Sequence, residues 1–282
     1  MKVALYNLEP KYKNLALEKV RVYYQNKGIQ VDTCPAILHG YDEIWASSIF
    51  SFTPKDRTPF HAITGGTGFD LKTVLPEEID AIEPHLNFGF TTRGCIRKCK
   101  FCVVPEKEGY IRATGDLLSL WDGKARDITL YDNNILGLPD HFAMICQQSR
   151  DNKIRLDFNQ GLDHRLLTPE ICEILKVTPH KEYHFAFDYP AYFNSVDKAI
   201  DLLENAGIHR STWMVLVNYN TTFEQDLERL NYLRSRNQNA CVMRYNGTTT
   251  PELTQLARWA NKHDWFHGVT WEQFKERNSV KC

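Results

Sequence analysis

Residues 91–109 read TTRGCIRKCKFCVVPEKEG. Cys95, Cys99 and Cys102 form a C-x3-C-x2-C array with an aromatic residue, Phe101, just before the last cysteine. Three thiolates this close in sequence can close on one metal centre from a single loop. A zinc knuckle would require a fourth ligand nearby. The nearest upstream candidate is His85, beside Pro84 and separated from Cys95 by a predicted strand. A disulfide framework fits less well. The first residues, MKVALYNLEPKYKN, carry no long apolar core and no small-residue cleavage site, so a cytoplasmic chain with reduced thiols is expected.

A lone [4Fe–4S] cube normally takes four thiolates. Three would leave one iron without a protein ligand, and an open position lets a metal bind and activate something. At these residues the chain resembles the radical S-adenosylmethionine (SAM) superfamily, whose signature is C-x3-C-x-(aromatic)-C. Thr92-Arg93-Gly94 before the array, and Val104-Pro105 with Glu108-Gly109 after it, resemble the branch that includes methylthiotransferases and cobalamin-linked enzymes.

Downstream, apolar strand-like runs alternate with helical periodicity. The strands are expected at 87–92, 127–132, 154–158, 182–188, 212–218 and 240–245, with helices at 139–148, 169–176, 195–205 and 222–235 between them. Helices at 251–261 and 271–277 close the chain. Six βα units imply a parallel sheet with right-handed crossovers. The expected fold class is therefore α/β, a partial (β/α)6 barrel, which is also the fold the resemblance implies. Upstream, residues 1–8, 29–32, 43–50 and 61–64 read as strands and 13–27 as a helix, a small degenerate Rossmann-like α/β sheet. The expected domains are 1–85, the barrel at 86–250, and C-terminal helices at 251–282.

Cobalamin-binding domains that precede such barrels carry D-x-H-x-x-G. His39-Gly40 lacks both the aspartate and the correctly placed glycine, so no cobalamin is expected. Residues 64–68, TGGTG, could cradle phosphate if a helix followed directly. FDLKTVLPEE follows instead, which favours a plain turn. Of the other cysteines, Cys146 and Cys172 fall in predicted helices and read as small buried hydrophobes. Cys241 could face a barrel interior, while Cys34 and Cys282 carry no motif.

In parallel barrels chemistry sits at the C-terminal ends of the strands. Those ends carry Asp132-Asn133-Asn134, then Asn159-Gln160 with Asp163 and Arg165, Asp188-Tyr189, Asn218-Tyr219-Asn220 and Arg244-Tyr245-Asn246. Turns favour such residues too, but here they follow every strand after the cysteine loop. The resemblance implies roles for some of them. In relatives a Gly-Gly-Glu stretch after the second strand binds the SAM amino group, and Asp132, Asn133 and Asn134 hold that place here. Asn159, Gln160, Asp163 and Arg165 match positions near the SAM ribose and carboxylate, with Arg165 the best carboxylate partner. Asn218 would lie by the adenine or ribose, and Phe101 by the adenine through its backbone. His164 and His184 read as core or supporting residues.

The whole chain has 282 residues, 43% of them hydrophobic, and a formal net charge of −1. No run is long enough to span a bilayer. Near neutrality argues against bulk phosphate attraction, so a nucleic acid is not indicated, although a local patch could hold one. Arg93, Arg97, Lys98 and Lys100 make the cysteine loop basic, either as a solvated loop or as a rim for an anionic substrate or an acidic electron donor. The resemblance implies a [4Fe–4S] cluster on Cys95, Cys99 and Cys102, with SAM on its open iron. It also implies a flavodoxin- or ferredoxin-type electron donor and a 5′-deoxyadenosyl radical that abstracts hydrogen. The substrate stays open among a small molecule, a peptide side chain and a nucleotide. An iron–sulfur electron carrier or sensor and a zinc-bearing nucleic-acid module are the competing classes. The features of a tRNA methylthiotransferase, a second cysteine set and a basic tail, are missing.

Overall fold

A computed structural model describes residues 1–279, so the end of the expected 251–282 segment, Cys282 included, lies outside the described residues. The first unit is a parallel sheet of β1 (Lys2–Asn7), β2 (Gln30–Thr33), β3 (Glu43–Ser47) and β4 (Ile63–Gly65) in the order β2-β1-β3-β4. Helix α1 (Leu15–Asn26) starts where Asn14 Oδ1 accepts from Leu17 N at 3.2 Å, satisfying one of the free N–H groups of the first turn. The buried side chains Leu17, Val20 and Tyr24 of α1 pack on Val3, Leu5 and Trp45, with Ile79 of α2 (Glu77–Asp80) closing this core.

The expected strand at 87–92 is divided into β5 (Phe88–Gly89) and β6 (Thr92–Arg93). The physical reason lies at the break. The backbone N–H groups of Thr91 and Thr92 donate to the Asp132 carboxylate, so the chain leaves the parallel ladder and pairs antiparallel with β7 (Arg112–Ala113). A short helix, α3 (Val104–Lys107), lies within the loop so formed.

Beyond it the mixed α/β fold rests on parallel sheets. The elements run β8 (Asp127–Leu130), α4 (Pro139–Asn152), β9 (Arg155–Phe158), α5 (Pro169–Val177), β10 (His184–Ala186), α6 (Phe193–Asn205), β11 (Thr212–Val217), α7 (Phe223–Ser235) and β12 (Asn239–Arg244). They close with α8 (Pro251–Ala260), α9 (His263–Gly268) and α10 (Trp271–Ser279), of which α9 was not expected. One sheet is β5-β8-β9 and the other β10-β11-β12, all pairs parallel. Single parallel bridges, Leu156 to His180 and Leu162 to Phe185, join their facing margins.

Strand alternation sorts the side chains. Ile128, Leu130, Leu156, Phe158, Phe185, Trp213, Val215 and Val242 are buried in one core with the helices. Their neighbours Thr129, Asp157, His184, Met214 and Cys241 point to the other face and are only half-buried. Cys146 and Cys172 are fully buried on α4 and α5. No helix among the described residues is long and apolar enough to cross a membrane.

Candidate metal and cofactor site

The cysteine loop is closed at its root by the β6–β7 ladder, Thr92 with Ala113 and Arg93 with Arg112. Gly94 makes this closure fit. Its φ is +84°, and a Cβ there would lie 2.5 Å from the Tyr110 carbonyl oxygen. Cys95 N donates to Gly109 O at 3.2 Å, and Arg93 Nη1 meets both Glu108 carboxylate oxygens at 3.0 Å. The next turn holds the other two cysteines, with Cys102 N donating to Cys99 O at 3.0 Å.

Three polar groups tie this loop to the C-terminal ends of β8 and β9. Asp132, nearly fully buried, accepts from Thr91 Oγ1 at 2.8 Å and Thr92 Oγ1 at 2.5 Å as well as from both backbone N–H groups. Burial pushes its carboxyl up, and those donors pull against it. Asn133 Oδ1 accepts from Gly94 N at 3.1 Å. Asn134 Nδ2 reaches Cys95 Sγ at 3.4 Å and Asp163 Oδ2 at 3.2 Å, while its buried Oδ1 has no protein partner among the described residues.

Asp163 is the hub. Arg97 Nε of the cysteine loop donates to its Oδ2 at 2.9 Å. Arg165 grips both oxygens, Nε to Oδ1 at 2.6 Å and Nη2 to Oδ2 at 3.1 Å. Burial alone would raise this carboxyl, but the hydrogen bonds and charges of Arg165 and Arg97 outweigh it and hold it below the usual carboxylate range. Arg165 also donates from Nη1 to Tyr192 Oη at 3.0 Å. Its guanidinium is thus largely committed within the protein, with its remaining N–H groups open to a ligand.

The other expected residues are spread around the same end of the sheets. Asn159 and Gln160 are exposed, with Gln160 Nε2 on Asn159 Oδ1 at 3.3 Å. Asn218 is exposed with φ +61°, and its N–H donates to Asp226 Oδ2 at 2.9 Å. The Phe101 ring lies 5.8 Å from Tyr189 and 5.5 Å from Tyr219, centroid to centroid. His164, fully inside, meets Ser195 Oγ at 3.0 Å, and burial lowers it to about 4.

Asp188 was noted in the sequence only as a strand end. It follows β10 on the face shared by His184 and Ala186, and among the described residues no donor reaches it. Burial pushes it up to about 6, against the pull of Arg229 and Arg165. Period-2 counting from the buried Phe185 and Phe187 is the signal that places it.

The fit to a metal group can be tested on these residues. Among the described residues no three His, Cys, Asp or Glu side chains converge as they would around a single metal ion. A cube of four irons binds its thiolates at separate corners, unlike a single ion that gathers its ligands around one point. Burial raises the Cys99 and Cys102 thiols, the direction that favours their protonated form. The unpartnered Asn134 Oδ1, buried behind Cys95, adds an acceptor that a bound group could use.

No family model matches the chain. It is similar to the ribosomal protein uS12 methylthiotransferase RimO of Colwellia psychrerythraea, 26% identical over 177 residues, covering 60% of this chain and 34% of the relative. It is also similar to the ribosomal protein uS12 methylthiotransferase RimO of Marinobacter nauticus, 23% identical over 205 residues, covering 69% and 38%. The chain thus spans little more than a third of the length of these relatives. The likeness is a distant homology to a radical SAM family.

Proposed function

We propose that this chain is a radical SAM enzyme in which Cys95, Cys99 and Cys102 hold a [4Fe–4S] cluster at the mouth of a partial (β/α)6 barrel made by β5, β8, β9, β10, β11 and β12. The observation that carries this reading is the bracing of the three-cysteine loop, through Asn134 and the Arg97–Asp163 pair, onto the C-terminal ends of β8 and β9. Distant homology to a radical SAM family supports it independently. When bound, the cluster and SAM together supply an organic radical able to take a hydrogen atom from an unactivated carbon.

The chain's own residues then bind, orient and exclude. Asn159, Gln160 and the open N–H groups of Arg165 offer polar partners for the amino-acid end of SAM. Phe101 with Tyr189 forms an apolar wall beside the cysteines that keeps water from the reacting centre. Asp132, Asn133 and Asp163 brace the loop that carries the three cysteines.

Electron paramagnetic resonance of the anaerobically reconstituted, reduced protein tests this reading. A cubane signal whose line shape changes when SAM is added is expected, and Arg165→Ala should weaken that SAM response while leaving iron content intact. A colourless protein, or a cluster signal indifferent to SAM, would overturn it. The second of these results is what an electron carrier predicts.

A further inference from the structure

Aromatic residues from three separated segments come together beside the cysteine loop, where Tyr219 also lies 5.5 Å from Phe101. Tyr219, after β11, lies 4.6 Å from Tyr245, after β12. The ring of Phe52, from the loop after β3, lies on Gly247, where a Cβ would come within 2.9 Å of it. Phe52 is 57% exposed and stacks at 10° on Phe50. Neither Tyr219 nor Tyr245 finds a protein partner for its hydroxyl among the described residues. Three asparagines flank the rings. Asn218, Asn220 and Asn246 all have left-handed backbones, φ +61°, +51° and +50°. Each is exposed, and each side-chain amide is free of protein hydrogen bonds among the described residues. Asparagine bears that conformation better than most residues, and such strained turns concentrate at binding sites.

Flat apolar faces beside unpaired amides have a specific chemical complement. An amide offers a donor and an acceptor side by side, the pattern presented by the edge of a nucleobase, while an aromatic face stacks on its plane. Single-stranded nucleic acids and free nucleotides are both held in this way. The charges agree. Lys98 and Lys100 stand exposed on the cysteine loop with no acidic partner among the described residues, whereas Arg97 and Arg165 each pair with Asp163. Two free ammonium groups suit one or two phosphates, not a long duplex.

We infer that Phe52, Tyr219 and Tyr245, with the amides of Asn218, Asn220 and Asn246, form a site for a nucleobase that is the substrate moiety of the proposed SAM reaction. The inference rests on that reading for the word substrate, but base binding stands on these residues alone. Tyr219 links this site to the cysteine loop, since its ring lies 4.6 Å from Tyr245 and 5.5 Å from Phe101, the residue before Cys102.

The test uses the full reconstituted chain saturated with S-adenosylhomocysteine, so that any adenine-binding position of the cofactor is already filled. The four ribonucleoside 5′-monophosphates, a mixed-sequence single-stranded octaribonucleotide and a neutral octapeptide are titrated by calorimetry. Binding of at least one nucleotide probe is expected, weakened roughly tenfold or more in Tyr245→Ala and in the surface variant Phe52→Ala, with Tyr245→Phe close to wild type. Mononucleotide binding would identify a free nucleotide, and octamer binding alone a nucleic acid. Binding of the peptide only, of no probe, or of nucleotides equally in wild type and both alanine variants would overturn the inference. Reductive SAM cleavage, assayed on the same sample, separates the two claims, because its loss would sink the radical SAM reading and leave the base site standing.

Discussion

Arg97 of the cysteine loop donates from Nε to Asp163 Oδ2 at 2.9 Å, across 66 positions of sequence. That contact joins the cysteine loop to the end of the strand that carries the expected SAM-binding residues. Asp163→Asn keeps the shape but removes the charge that two arginines share. It should cost about 1–3 kcal/mol of stability and lower the iron retained after reconstitution, both read by melting temperature and iron content. Full iron loading with an unchanged melting temperature would show that the hub does not organise the loop.

Gly94→Ala should be more damaging to the loop than to the fold. The new methyl would sit 2.5 Å from the Tyr110 carbonyl in a backbone conformation of φ +84°. A cost of about 1–3 kcal/mol is expected from the strained backbone, with cluster assembly falling much further than secondary structure, as read by circular dichroism beside the iron assay.

The cysteine loop and the six alternating strands were legible because each depends on local pattern. Phe185 and Phe187 alternate with His184, Ala186 and Asp188 whatever surrounds them. The clamp of Asp132 on Thr91 and Thr92 was not legible, since it joins residues about forty positions apart and itself divides the expected strand 87–92. Nor was the meeting of Phe52 with Gly247, which needs the first unit folded against the last strand loop. Arg165 showed as a cation at a strand end, while its commitment to Asp163 and Tyr192 is a tertiary fact.

His164 gives the fold an acid-sensitive point. Its folded pKa, about 4, lies below the ordinary 6.5, because burial disfavours the charged ring. The unfolded chain takes up the proton first. The neutral buried ring is therefore without penalty above about pH 6.5, and stability is lost as pH falls from there towards 4, by up to roughly 3 kcal/mol. Melting temperatures measured between about pH 7 and 4.5 should fall more steeply for wild type than for His164→Gln. Equal slopes would show that His164 does not set the acid sensitivity of the fold.

Asp226 and Arg229 form a fully buried pair on α7, 2.5 Å apart, and Asp226 also accepts from Asn218 N. Asp226→Ala leaves a buried guanidinium without its counter-charge and should cost about 3–5 kcal/mol. Replacing both by apolar residues of similar size should cost less than the single change, a comparison made by chemical denaturation. The Asn218 turn would loosen in both variants, so nucleobase binding should weaken with them.

Reductive cleavage of SAM separates a radical SAM enzyme from any other iron–sulfur protein. Reconstituted protein is incubated anaerobically with SAM and dithionite, with and without the nucleotides that bind it, and 5′-deoxyadenosine is measured by chromatography. Its formation by the wild type and its loss in Cys99→Ala are predicted. A brown, fully loaded protein that yields none, even with bound nucleotide present, would contradict the radical SAM reading and leave an iron–sulfur protein of another kind.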